Sequence, residues 1–378
     1  MIKTLFIFGT RPEAIKLAPV IIKSKKYHDK FRVRICVTAQ HRQMLDQVLN
    51  IFKIKPDYDL NIMQENQSLF DTTANSLRQI ERVLKKENPD MVIVQGDTTT
   101  TFVSSLAAFY SKIKIAHIEA GLRTNNKFNP FPEEINRRLT DCIADLYFVP
   151  TERAKNNLIA EGVDKNKIYL TGNTVVDALL MIVRRQRPRN VQEYYNRFFM
   201  KNYGISFNNK RTILVTIHRR ESFGKDFENI CLGLKKIAEM NESVQIIYPV
   251  HLNPNVQKPV KKILSNCKNI FLLEPLDYLT FVWLMNKSYL ILTDSGGIQE
   301  EAPSLGKPVL VIRKTTERPE GVEAGVAKLV GVESESIYSE TMRLLTENKL
   351  YQKMSRSVNP YGDGRAADRI IEILIAND

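Results

Sequence analysis

A chain of 378 residues is long enough for two domains, each with its own core. Hydrophobic residues at 43% and charged residues at 26% fit a soluble globular protein, and no apolar run approaches the roughly 20 residues a membrane span needs. A net charge of +13 admits nucleic acid or an anionic membrane face as partner. The basic clusters Lys23–Lys26, Arg184–Arg189 and Lys258–Lys262 carry no recognition-helix or aromatic–basic signature, however. We read them as solvated faces that help gather an anionic small substrate, with no nucleic acid bound and no membrane insertion.

The first residues, MIKTLFIFGTRPE, resemble the start of a signal, but Gly9, Arg11 and Glu13 end the apolar run. They read as a first buried strand. Cys36, Cys142, Cys231 and Cys267 are scattered with no CxxC pairing, so reduced thiols in a cytoplasmic protein are the simplest account.

In order, the predicted strands are Thr4–Phe8, Arg32–Val37, Met91–Val94, Lys114–Ile118, Leu146–Val149 and Ile168–Leu170. Then come Thr212–Ile217, Val244–Val250, Ile270–Leu273, Tyr289–Leu292, Val309–Ile312 and Ala327–Val330. Amphipathic stretches such as Ser68–Glu87 and Asp226–Met240 fill most gaps. Such alternation implies parallel sheets with helices on both faces. Twelve strands in one open sheet would be unusual, so two sheets of about six are expected. The boundary is placed near Gly172–Asn173. The charged segment Val183–Lys210, with Pro188 and few apolar anchors, reads as an irregular, peripheral start to the second domain. Asp57-Tyr58-Asp59 resembles a carboxylate metal pair, but it follows Pro56 in a polar connection and reads as loop.

Tyr289–Leu310 is the most informative stretch. A buried strand runs into Thr293-Asp294-Ser295-Gly296-Gly297, a helix opens at about Ile298, and a second strand follows Lys307-Pro308. Paired glycines let a backbone approach a ligand, and a helix start favours an anion. Ser295 can cap the helix or bind an oxygen. One reading puts a diphosphate on Ser295-Gly296-Gly297 and a ribose on Glu301. The plainer reading is an ordinary strand-to-helix turn.

Parallel sheets bind ligands beyond the carboxyl ends of their strands. Those ends carry Gly9-Thr10-Arg11, Thr38–His41, Gln95-Gly96-Asp97 and Glu119-Ala120-Gly121. The second half adds His218-Arg219-Arg220-Glu221, His251, Thr293–Gly297, Arg313 and Arg318. His41, His117, His218 and His251 all fall at such ends, and His28 falls in a helical stretch. Arg11 and Lys16 flank a helix start at Pro12, where Arg11 could clamp a phosphate or simply be exposed. Asp97 reads as an N-cap or an acid–base group. Glu119 ends a buried strand, where a carboxylate is costly unless paired or used. Glu133 and Glu134 can be first-turn acids favoured by the helix dipole. There is no GxxxxGK[ST] loop, no GxGxxG, no HExxH, no CxxC and no GxSxG, so neither a metal nor a cofactor is called for.

Seven motifs now fall in order. They are Gly9-Thr10-Arg11-Pro12-Glu13, Gln95–Thr99, His117–Arg123, Phe131–Glu134, His218–Glu221, Thr293–Gly306 and Thr316–Glu320. Together they closely resemble the non-hydrolysing bacterial UDP-N-acetylglucosamine 2-epimerases, over about residue 2 to the NPYGDGR stretch Asn359–Arg365. The resemblance implies an α/β chain of two Rossmann-like domains in a GT-B arrangement, with the active site in the interdomain cleft. It implies residues 1–172 plus a returning helix at about 362–378 for the first domain and 173–361 for the second. It implies a homodimer acting on UDP-N-acetylglucosamine and UDP-N-acetylmannosamine, for surface polysaccharide.

By the same resemblance Asp97, Glu119 and Glu133 are the acid–base carboxylates, and His218 and Arg11 support the leaving diphosphate. Lys16, Ser295, Gly296, Gly297 and Arg318 hold the phosphates, Glu301 takes the ribose, and Phe281 lines the uracil pocket. Leu276 stands where some relatives carry glutamine. Some members bind a second UDP-N-acetylglucosamine as an activator, and the matching residues are Gln40, Gln43, Glu133, Arg219 and His251. Gln64-Glu65-Asn66 departs from the arginine some relatives place there. Three other readings stay open: a GT-B glycosyltransferase, a hydrolysing epimerase, and a non-enzymatic sugar-nucleotide sensor.

Overall fold

The computed structural model describes residues 1–38, 42–62, 67–208 and 210–377, without the side chain of Gln43. Gln40, His41 and Gln64-Glu65-Asn66 therefore lie outside the described residues. The chain divides into two compact units, residues 1–178 with 361–378, and residues 179–360.

In the first unit the strands are β1 (Ile2–Phe8), β2 (Phe31–Val37), β3 (Tyr58–Asp59), β4 (Met91–Gln95), β5 (Lys114–Ile118), β6 (Leu146–Val149) and β7 (Ile168–Leu170). They form one sheet in the order β3-β2-β1-β4-β5-β6-β7, with every neighbouring pair parallel. Around it run α1 (Arg11–Ser24), α2 (Arg42–Phe52), α3 (Leu69–Glu87), α4 (Thr99–Tyr110), α5 (Glu133–Ile143), α6 (Glu152–Ala160) and the start of α7 (Thr174–Gln186). The strands are nearly continuous apolar runs because helices cover both faces, so no polar side has to face water. Strand order reverses at β1, whose neighbours are β2 and β4. The ends of β1 and β4 are thus the place where an open parallel sheet leaves a crevice.

The second unit begins within α7 and continues with α8 (Arg189–Tyr203), β8 (Arg211–Thr216), α9 (Lys225–Glu239), β9 (Val244–Pro249), α10 (Pro254–Leu264) and β10 (Ile270–Leu273). Then come α11 (Tyr278–Lys287), β11 (Leu290–Thr293), α12 (Gly296–Glu301), β12 (Val309–Val311), α13 (Pro319–Glu323), β13 (Ala327–Leu329), α14 (Ser334–Thr346) and α15 (Asn348–Arg356). Its sheet is again all parallel, in the order β10-β9-β8-β11-β12-β13, and reverses at β8. The last helix, α16 (Ala366–Ala376), belongs to the first unit. No helix among the described residues is long and apolar enough to cross a membrane.

Four expectations change. Tyr58–Asp59 is not loop: it pairs with Cys36 and Val37 as a two-residue edge strand. Val183–Lys210 is not irregular, since most of it is helical in α7 and α8. Tyr195 and Phe199 of α8 are buried and stack on the Trp283 ring at 5.2 and 5.4 Å. His28 lies in a turn after α1 rather than in a helix. The division between units falls inside α7, at Ala178–Leu179, where the sequence suggests Gly172–Asn173.

Candidate functional site

At the β1 and β4 ends, Glu13 fastens the backbone that carries the polar groups. It is fully buried and accepts hydrogen bonds from the Gly9 and Thr10 amides at 3.1 and 2.7 Å. It also accepts from the Thr98 and Thr101 hydroxyls at 2.8 and 3.1 Å. Burial pushes its pKa up, against those hydrogen bonds. One carboxyl therefore ties the start of α1 to the start of α4, fixing Arg11 and Lys16 on one side and Asp97 on the other.

Glu119 follows β5 with a φ of +69°, a conformation rare outside glycine, and is 8% exposed. Lys16 Nζ lies 2.5 Å from its carboxylate, Asn173 donates at 2.8 Å, and the Gln95 side-chain amide donates as well. A buried carboxylate is tolerable when paired and hydrogen-bonded in this way. Gly96 turns with φ +76°, and a Cβ there would sit 3.5 Å from Glu119 Oε2. The strained backbone at Glu119 and the bare Gly96 together bring a carboxylate and a turn into contact, a pattern common at working sites.

Asp97 keeps 30% of its side-chain surface exposed and pairs with Arg137 Nη2 at 2.7 Å. Its neighbours still displace enough water to raise its pKa. That desolvation and the charges of Glu119 and Glu133 outweigh Arg137 and Lys16. It is not the N-cap of α4: Thr98 caps, accepting from the Thr101 amide at 3.1 Å. Freed from capping, the Asp97 carboxylate is available for chemistry. Glu133 opens α5, while Glu134, its neighbour, is buried and takes the Thr124 and Asn125 amides.

In the second unit, Asp294 is fully buried after β11. Its Oδ2 accepts from the backbone amides of His218 and Arg219, each at 2.7 Å. Its Oδ1 stands 3.5 Å from His218 Nδ1. Burial lowers the His218 pKa against the pull of Asp294, and the neighbouring His251 and Arg219 push the same way as burial. The His218 ring stacks on His251 at 5.3 Å.

A Cβ on Gly296 would lie 3.9 Å from Arg219 Nη2 and equally close to the Arg318 guanidinium. Two guanidinium groups thus overhang a backbone with no side chain. Glu317 partly balances that charge, 3.2 Å from Arg219 and 3.3 Å from Arg313. Arg318 is itself tied to Glu300, and Arg313 is buried against Glu221 at 2.6 Å. Planar guanidinium pairs suit a diphosphate, which accepts bidentate hydrogen bonds. The helix here opens at Gly296, not Ile298, and spans six residues. Ser295 is its N-cap by position but makes no capping bond, and the two arginines add positive charge beside the helix start. Glu301 curls back over the turn, its Oε1 3.6 Å from where a Gly297 Cβ would be.

Comparison with known proteins decides the family. The UDP-N-acetylglucosamine 2-epimerase family model matches residues 23–375. The chain is 56% identical over 376 residues to the UDP-N-acetylglucosamine 2-epimerase of Campylobacter jejuni, covering 99% of this chain and 97% of that one. It is 54% identical to that of Salmonella typhimurium, covering 98% of each. The crystal structure of the Neisseria meningitidis UDP-GlcNAc 2-epimerase bound to UDP-GlcNAc matches with a TM-score of 0.91 at 51% identity, covering 99% of this chain and all of that one. The chain belongs to the UDP-N-acetylglucosamine 2-epimerase family. It is an enzyme, an isomerase, built of two Rossmann-like domains.

As a family member it keeps the sequence-predicted residues in two groups. In the first unit Lys16, Glu119 and Glu133 each act on the charge of Asp97, and Arg11 opens α1, the helix that carries Lys16. Ser295, Gly296, Gly297, Glu301, Arg318 and His218 gather at the β8 and β11 ends of the second. Arg219 and His251, assigned from sequence to an activator, lie against Gly296 and His218 respectively. Phe281 stands half-buried in α11. Glu13, Gln95, Arg137, Asn173, Asp294 and Glu317 escaped assignment from the sequence. Asp294 offered a signal, a carboxylate directly after a buried strand. Glu13 offered another, the Thr10-x-x-Glu13 spacing of a capping box; the rest are read from contacts made in the folded chain.

Proposed function

We propose that this chain interconverts UDP-N-acetylglucosamine and UDP-N-acetylmannosamine by inverting carbon 2 without net hydrolysis. The observation that carries the reading is the cluster of Asp97, Glu119 and Glu133, close enough that two of them raise the pKa of the third. The hydrogen on C2 of an N-acetylhexosamine is not acidic, so direct removal faces a high barrier. If the C1–O bond to UDP breaks first, with its electron pair leaving on the diphosphate, positive character at C1 acidifies C2–H. A carboxylate then takes that proton and a 2-acetamidoglucal forms beside UDP. Protonation at C2 from the other face, with return of the diphosphate oxygen to C1, gives the epimer.

Such a reaction needs acid–base groups for both faces of C2 and positive charge where the diphosphate leaves. In this reading Asp97, Glu119 and Glu133 are the acid–base groups, and Arg11 and His218 stabilise the departing UDP. Lys16, Ser295, Gly296, Gly297 and Arg318 hold the phosphates, Glu301 the ribose and Phe281 the base. The UDP-GlcNAc bound to the Neisseria meningitidis relative supports the substrate class. A second UDP-N-acetylglucosamine would activate through Gln40, Gln43, Glu133, Arg219 and His251. A homodimer, a cytoplasmic site of action and supply of mannosaminyl units to surface polysaccharide complete the proposal.

Incubation with UDP-N-acetylglucosamine in deuterated water, followed by NMR at C2, tests it. Epimer carrying deuterium at C2 with the UDP-sugar intact is the expected result. Released free sugar would make it a hydrolysing enzyme, and absence of exchange would make it a transferase or a sensor.

A further inference from the structure

We propose that Asn173 is the positioning residue for Glu119, setting the plane of its carboxylate from the contact between the segments on which the chain leaves and re-enters the first unit. This deepens the acid–base reading of Glu119 and rests on it for its catalytic consequence.

The chain leaves the first unit after Ala178, within α7, and returns at Tyr361. Asn173 directly precedes α7 and is buried. Its Oδ1 accepts from the Val175 amide at 3.0 Å, as a helix N-cap does. A backbone amide only donates, so the side-chain oxygen must face Val175 and the nitrogen must face Glu119. That nitrogen, Nδ2, donates to Glu119 Oε1 at 2.8 Å. The Asn173 backbone amide donates to the Tyr361 carbonyl at 2.6 Å, and its carbonyl accepts from Val176 at 3.1 Å. Side chain and backbone are therefore bonded at both ends, and the Nδ2 donor has little room to move.

Two glycines allow the close approach to Tyr361. Gly172 sits at φ +86°, and a Cβ on it would lie 3.2 Å from Gly362 Cα and 3.4 Å from the Tyr361 oxygen. Gly362 sits at φ +140°, and a Cβ on it would lie 3.4 Å from the Asn173 nitrogen. Backbone lies directly on backbone here, in conformations that glycine adopts without strain. Further along α7, Asp177 takes the amides of Ala366 and Ala367, so the outgoing and returning segments are joined a second time.

Glu119 has other partners, and they do not replace this one. The Gln95 side-chain amide holds Oε2, and Lys16 Nζ lies 2.5 Å from Oε1. The terminal torsion of a glutamate is broad, so a carboxylate fixed through Oε2 alone swings about that contact. Lys16 is a point charge on a flexible four-carbon stem, and it is also the group assigned to the phosphates. It supplies charge to Oε1 without fixing a direction. Asn173 is a short donor with a bonded base, so it fixes Oε1 in space. Gln95 from β4 and Asn173 from the start of α7 each hold one oxygen, and together they define the carboxylate plane.

Asn173→Ser separates the two uses of the side chain. Serine caps a helix about as well as asparagine, but its hydroxyl ends where the asparagine Cγ stands, short of Glu119. Asn173→Ala loses both the cap and the donor. In the epimerisation assay kcat should fall about tenfold to a hundredfold in both variants, the upper figure being the scale of a small misplacement of a reacting group. KM should stay within about threefold, because the interaction lost acts on the transition state. The melting temperature should fall further in Asn173→Ala, which also lacks the cap. Hydrogen exchange at the residue 173 amide should quicken severalfold in Asn173→Ser, since the anchor on Glu119 and the bond to Tyr361 brace one another. A folded Asn173→Ser with wild-type kcat overturns the positioning role and leaves Asn173 a helix cap. Asn173→Thr, close to asparagine in volume, decides the same point if Asn173→Ser does not fold. Unchanged exchange at residue 173 overturns the link to the returning segment. Absence of C2 exchange in the wild type would instead sink the epimerase reading, and near-normal turnover in Glu119→Gln would sink the acid–base role of Glu119. Both of those results are read without any Asn173 variant.

Discussion

Glu119 and Asp97 differ in how they are held, and the difference predicts how each fails. Glu119 is fixed by Lys16, Gln95 and Asn173 around a left-handed backbone, so Glu119→Gln leaves Lys16 Nζ facing an amide. Asp97 keeps an open face and a single strong partner in Arg137. Both Asp97→Asn and Glu119→Gln are expected to lose turnover by about 10² to 10⁴, the range for removing a general acid or base, while remaining folded. Near-normal steady-state rates in both would remove them from the chemistry. Because desolvation and the nearby carboxylates raise the Asp97 pKa, its ionised form appears only above the ordinary aspartate range. If it acts as the base, the acid limb of the rate profile lies above that range and moves down in Glu133→Gln, which removes one of the charges raising it. At this scale the sequence exposed the acids through their place at strand ends. It could not expose Gln95 or Asn173 as partners of Glu119, because those contacts join residues 24 and 54 positions apart.

At the scale of elements, period and punctuation located twelve of the thirteen strands among the described residues, each within two residues of where it lies. Buried parallel strands announce themselves as short apolar runs between turn signals. β3 escaped because two residues after a proline offer no run to count, and only pairing with Cys36 and Val37 makes them a strand. α8 escaped for another reason. Its sequence RNVQEYYNRFFMKNY buries only Tyr195 and Phe199, so its amphipathic stripe is thin. The partner that completes it, Trp283, comes more than 80 residues later, inside α11. The fully buried indole stacks on both α8 rings and meets Phe207 edge-on at 5.0 Å. Trp283→Ala should therefore cost about 3–5 kcal/mol, as large aromatic deletions in cores do. Denaturant titration should show that loss in the second unit, with far-UV signal lost from α8 first. A loss below about 1 kcal/mol, the scale of a half-exposed side chain, would mean that α8 is held by something else.

For the molecule as a whole, two sheets were countable from the sequence, but the course of the chain between them was not. α7 reads as one amphipathic helix, and nothing in TVVDALLMIVRRQ marks the point where its first residues serve one unit and its last the other. The return of α16 to the first unit came from family resemblance rather than from any pattern in the residues. Its physical basis is now specific. Ile370, Ile371 and Leu374 are fully buried, and Asp177 takes the Ala366 and Ala367 amides at 3.2 and 2.9 Å, anchoring the helix start. Lys23 of α1 pairs with Asp368 on its first turn. Burying those three side chains contributes about 5–9 kcal/mol, at about 1.5–3 kcal/mol each. That is comparable to the whole stability of a typical domain, roughly 5–15 kcal/mol. Truncation after Pro360 should consequently unfold the first unit while leaving the second intact. Hydrogen exchange would show it as protection lost across β1, β4 and α1 but retained across β8 and β11. UDP binding should survive the truncation at reduced affinity, because Arg11 and Lys16 are lost with the first unit while Ser295, Gly296, Gly297, Glu301 and Arg318 remain, and all C2 exchange should disappear. Protection retained in β1 and α1 would mean that the returning helix is dispensable and that the first unit closes its core without it.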